Sequence, residues 1–106
     1  MGAGITYILK RPTACRGIVM RRVRKNIDVI ATFRDGKPPQ PHRFRVRDRY
    51  DNVHVIRIGQ IVNIEKSKVL GDEIWTYQCQ GMVGNTERIY VIEFNLHHGR
   101  WQLVKI

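Results

Sequence analysis

From Ile27 to the last residue, apolar and polar side chains alternate with a period of two. Turn-forming residues, chiefly glycine, proline, aspartate and asparagine, separate the alternating runs. Period two is the spacing at which a β-strand sends successive side chains to opposite faces, so this feature limits the chain to strands joined by turns. Ile27–Phe33 reads as the first clear strand, with Ile27, Val29, Ala31 and Phe33 on one face. Asp35-Gly36 ends it, because glycine accepts the positive φ of a tight turn. Pro38, Pro39 and Pro41 lack the N–H that a ladder needs, so they interrupt pairing.

Further strands are expected at His42–Arg47 and at the β-branched stretch Val53–Ile58. Gly59 marks a bend or bulge, after which Gln60–Glu65 continues extended. Lys66–Glu73 is polar and reads as a loop. Ile74–Gly81 places Trp75, Tyr77 and Cys79 on one face, as core residues, and Thr76, Gln78 and Gln80 on the other. Gly84-Asn85 then closes a hairpin into Glu87–Leu96, which is apolar on both faces and therefore interior. His97-His98-Gly99 turns the chain into Arg100–Ile106, whose Trp101 is also assigned to the core. These three segments form a meander. In the N-terminal quarter Thr13 could cap a short helix over residues 14–24, but Gly17–Arg24 favours a strand that turns at Lys25-Asn26. The expected fold is all-β and mainly antiparallel: a small rolled sheet or partly open barrel of about six strands.

At 106 residues and 42% hydrophobic content the chain suits a single domain, 1–106, with its own core, rather than wholesale disorder. Its N-terminal segment, about residues 1–26, is basic and of undetermined structure. Two cysteines, Cys15 and Cys79, make no disulfide framework and suit a reducing compartment. The apolar stretch of Met1–Leu9 is too short for a signal peptide or a spanning helix, so a cytoplasmic protein without a membrane partner is expected.

Val29-Ile30-Ala31-Thr32-Phe33-Arg34-Asp35-Gly36, followed by Pro41, Phe44 and Tyr50, resembles the opening of a group of short bacterial β-domain proteins of unknown function. Tyr77-x-Cys79 and Arg100-Trp101 are similar to that group's ending. The resemblance spans residues 27–106, although the group's tryptophan near position 46 is Val46 here. It implies the β fold and no activity.

Charge is the outlying property. The net charge is +10, and it is uneven: residues 1–70 carry 16 Lys/Arg against 5 Asp/Glu, while residues 71–106 carry 3 against 4. Such a concentration attracts polyanions. Arg43, Arg45, Arg47 and Arg49 alternate with Phe44, Val46 and Tyr50, so an extended strand lines the four arginines along one face. Alternate residues there lie about 7 Å apart, comparable with successive phosphates of a single strand. Guanidinium groups fork onto phosphate and stack on bases. The same stripe could simply be a solvated face that blocks edge-to-edge aggregation. Seven basic residues between Lys10 and Lys25, with no acid among them, add Arg21, Arg22 and Arg24 as phosphate contacts. The expectation is a non-catalytic domain that binds DNA or RNA. The alternative is a protein-interaction or accessory-subunit module that pairs through a strand edge or meets an acidic partner, or a homo-oligomer built on the same edges.

Catalysis has little to stand on. His97-His98 has no nearby cysteine or carboxylate cluster, so no metal is expected there. Cys79 reads as a buried structural thiol. No nucleophile elbow, phosphate loop or dinucleotide fingerprint is present, and no cofactor is expected.

Overall fold

Alternation becomes strand almost everywhere the sequence carries it. The computed structural model describes residues 21–106. They form β1 (Arg22–Thr32), β2 (Gln40–Arg47), β3 (Val53–Arg57), β4 (Gln60–Val69), β5 (Asp72–Val83), β6 (Thr86–Asn95) and β7 (Arg100–Lys105). All neighbours are antiparallel, in the order β3-β2-β1-β7-β6-β5-β4, and the sheet curls into a half-barrel. Among the described residues no helix is long and apolar enough to cross a membrane.

The concave face holds the core, and the ladder register shows how. Ile27, Trp101, Phe94 and Trp75 stand opposite one another across β1, β7, β6 and β5. Leu103, Ile92 and Tyr77 form the next row. Phe44 and Ile56 extend the apolar lining onto β2 and β3. Cross-strand aromatic contact reinforces burial: Phe94 and Trp101 lie 4.6 Å apart, Tyr77 and Trp101 5.6 Å, and Phe44 and Tyr90 5.6 Å. Each such pair adds about 0.5–1.5 kcal/mol beyond the area it buries. Trp75 is only half-buried, with the Lys66 ammonium over its ring. Phe33 departs from the expected core face. It lies just past the end of β1, is 62% exposed, and meets Phe94 edge-on at 5.7 Å. The following prolines fold inward: Pro39 and Pro41 are buried, and the Pro39 carbonyl accepts a hydrogen bond from the Tyr77 hydroxyl.

The two edge strands, β3 and β4, are consecutive in sequence. Only Ile58 and Gly59 separate them. The Ile58 amide continues the β2–β3 ladder by donating to the His42 carbonyl at 2.9 Å. One residue later the Gly59 amide donates to the Gln80 carbonyl at 3.0 Å, on β5. A single bent strand therefore pairs with both sides of the curl and draws them together. That bend requires bare backbone. A Cβ on Gly81 would lie 3.0 Å from both the Arg57 carbonyl oxygen and the Gly59 nitrogen, and one on Gly59 would lie 3.0 Å from the Gln80 carbonyl oxygen.

Two sequence expectations are corrected. The chain does not turn at Lys25-Asn26 and is not helical over residues 22–24: β1 runs unbroken through them, with a bulge where Arg24 takes φ 43°. The rest of the N-terminal reading, residues 1–20, lies outside the described residues. Nor is Lys66–Glu73 a loop. β4 continues to Val69, Leu70 and Gly71 make a two-residue turn at φ 52° and 87°, and β5 begins at Asp72. Both central residues of that turn need positive φ, which fits Asn-Gly far better than Leu-Gly.

Gly81→Ala is expected to destabilise the fold by about 1–3 kcal/mol, because the new methyl group meets backbone that cannot move aside. A shift in the urea midpoint, followed by tryptophan fluorescence, measures it. Leu70→Asn should act in the opposite direction. Leu70 is fully exposed, so only its left-handed backbone matters, and relieving that conformation should stabilise by about 1 kcal/mol in the same assay.

Candidate nucleic-acid interface

The outward face of β2 follows from the inward one. Phe44 is buried in the core and Val46 packs against it, so Arg43, Arg45 and Arg47 must project from the convex side, and all three are exposed. The register places Asp28 and Ile30 of β1 beside them on one flank and Val53, Val55 and Arg57 of β3 on the other. Asp28, Ile30, Arg43, Arg45 and Val55 line a shallow groove. Its apolar members are open to solvent: Ile30 is 55% exposed and Val55 65%.

Two of these arginines already hold carboxylates. Arg45 donates to Asp28 from Nη2 at 2.8 Å and from Nε at 3.2 Å. Arg47 donates to the Asp51 carboxylate at 3.2 Å. Both pairs are exposed, so each contributes only about 0–1 kcal/mol and yields readily to a competing anion. Arg43 differs. Among the described residues it has no carboxylate partner, and it stands directly across the ladder from Arg57. Like charges at that position are destabilising.

The remaining expected residues do not join this face. Arg49 is not part of the stripe: β2 ends at Arg47, and Arg49 sits in the following turn with its guanidinium 5.4 Å from the centre of the Tyr50 ring. The chain leaves the strand there because Asp48 caps a tight turn. Arg21 and Arg22 lie where the Arg21 amide donates to the Ile106 carbonyl at 2.7 Å, and Arg22 faces Lys105. Arg22 is six residues along β1 from Asp28, roughly 20 Å of strand. Arg24 reaches over the convex face of β7 and β6, donating to Gln102 at 2.9 Å and Glu93 at 3.0 Å. The structure thus keeps three of the seven expected arginines together and adds one the sequence reading missed. Arg57 was visible in the alternation of Val53, Val55 and Arg57, but its neighbours required the β2–β3 register.

Asp48 organises the turn that shapes one end of this face. One carboxylate oxygen accepts from the Tyr50 amide at 2.8 Å and the Asn52 amide at 3.0 Å, and the other lies 2.8 Å from His54 Nε2. The His54 contact, with the backbone amides after it, holds this carboxyl at about 2, below its ordinary 3.8. Cys79, in contrast, is fully buried, and burial pushes its thiol up to about 12. It stays a protonated, structural thiol rather than a thiolate nucleophile.

A carboxyl that titrates lower when folded contributes stability that is complete above about pH 4 and is lost as pH falls toward 2. The unfolding free energy of Asp48→Asn should therefore fall less across that window than that of the parent chain. Urea titrations at stepped pH test this, and parallel curves would exclude Asp48 as the titrating group. No protein-family model, curated protein or solved structure matches this chain.

Proposed function

We propose that this chain is a non-catalytic basic β-domain that binds DNA or RNA mainly through phosphate contacts on the convex face of β1, β2 and β3. The observation that carries the reading is the Arg43–Arg57 pair: two exposed arginines at directly opposed ladder positions, neither in an ion pair among the described residues, with apolar Ile30 and Val55 alongside. A bound phosphate would relieve their repulsion, and Arg45 and Arg47 could exchange weak carboxylate contacts for the same ligand. The exposed Ile30 and Val55 offer a surface against which a base or sugar can rest. The buried free thiol of Cys79 suits a reducing, cytoplasmic setting.

A second reading rests on β4. Among the described residues it is an edge strand of ten residues, paired only with β5, and it exposes Val62, Ile64 and Val69. Such an edge can accept another strand from a protein partner or a second copy.

One experiment separates them: fluorescence anisotropy with labelled single-stranded RNA, single-stranded DNA and duplex DNA. Four contacts to single-stranded phosphate predict roughly a 50-fold loss of affinity between about 50 and 200 mM salt. Arg43→Ala/Arg57→Ala should reduce the slope of log affinity against log salt by about 1.4. The fold should be as stable as before or more so, since a repulsion is removed. No binding at low salt, or an unchanged slope, would overturn the reading. Absent binding together with concentration-dependent sedimentation would favour the β4 edge.

A further inference from the structure

The two adjacent histidines lacked a third ligand in the sequence, and the fold supplies one. Pairing of β5 with β6 sets Ile74 opposite Asn95, which carries Asp72, at the start of β5, up to the turn formed by residues 96–99. The donor atoms of Asp72, His97 and His98 all lie within 4.8 Å of one another. Asp72 Oδ2 and His98 Nε2 are 3.4 Å apart. That separation is close to the roughly 3.3 Å expected between two ligands of a tetrahedral ion bound at about 2.0–2.1 Å. The His97 ring packs edge-to-face on that of His98, with centroids 4.9 Å apart. It is exposed, so a side-chain rotation suffices to bring it in.

Asn95 holds the arrangement from behind. Its amide nitrogen donates to Asp72 Oδ2 at 3.2 Å, and its carbonyl oxygen accepts from the His98 backbone amide at 3.0 Å. Groups that orient a ligand in this way are a usual part of a metal site. From this geometry we infer that Asp72, His97 and His98 form a surface site for a divalent transition-metal ion of the zinc class. Two imidazoles and one carboxylate suit such an ion better than magnesium or calcium, which prefer oxygen alone. Three protein ligands leave a fourth position open. Arg24 and Arg100 line the groove that Asp72, His98 and Glu93 also border, and Glu93 already pairs with Arg24, so water is the expected fourth ligand. The site lies at the opposite end of the meander from Gly84-Asn85 and does not depend on the arginines of β2.

The test is isothermal titration of the full chain, stripped with a chelator, with Zn2+ alone. One ion per chain should bind with a Kd tighter than about 100 µM. His98→Ala and Asp72→Asn should each weaken it at least tenfold. His42→Ala/His54→Ala, which removes the other two histidines, should leave it unchanged. His98 is exposed, so its removal leaves the core intact, and circular dichroism with and without Zn2+ confirms that each variant is folded. Absence of binding would overturn the inference. So would affinity that survives both His98→Ala and Asp72→Asn, or that falls equally in His42→Ala/His54→Ala.

Discussion

Backbone meets backbone at Gly59 and Gly81, and the shape of the molecule depends on that approach. A sheet of seven strands twists on its own, but twist alone leaves a concave face open to water. Here the last strand of one side runs directly into the first strand of the other. The Ile58 and Gly59 amides then bind carbonyls on opposite flanks of the curl. Closing the curl brings Phe44 and Ile56 onto the same apolar surface as Tyr77, Tyr90 and Cys79. Among the described residues, the aromatic rows of the meander thereby gain a second wall without a helix or another layer of sheet.

The convex face obeys a different economy. Few of its contacts add much to stability, since exposed ion pairs such as Arg45–Asp28 and Arg47–Asp51 are worth little and the Arg43–Arg57 opposition costs something. Stability comes from the concave side, which leaves the convex side free to hold groups whose arrangement the fold does not need. The same division appears at the far end of the sheet. Asp72, Asn95 and His98 are linked by polar contacts around a turn that the core residues Phe94 and Trp101 already fix.

Much of this was legible because one face of most strands is wet. Ile74–Gly81 and the meander that follows could be read from alternation, as could the bend at Gly59. The stretch Lys66–Glu73 could not. It belongs to a ribbon exposed on nearly both sides, so burial imposes no pattern, and its turn uses Leu70-Gly71 where chemistry favours asparagine first. Arg49 was misplaced for a related reason: alternation predicts facing only while the strand lasts, and the Asp48 cap ends it one residue after Arg47. The Asp72–His98 contact was out of reach of any local pattern, because it joins residues 26 positions apart through the β5–β6 register.

The pairing of β1 with β7 has a consequence for the way the chain reaches its native state. Ile27 sits opposite Trp101, with nearly the whole domain between them in sequence. By contrast, β4–β5–β6–β7 and β1–β2–β3 are each built from neighbouring segments joined by short turns. Each half can assemble from local contacts, whereas the β1–β7 seam must close a long loop before it gains any pairing energy. Loop closure therefore predicts that the seam forms last, leaving the unpaired edges of β1 and β7 open to pairing with another chain until it does.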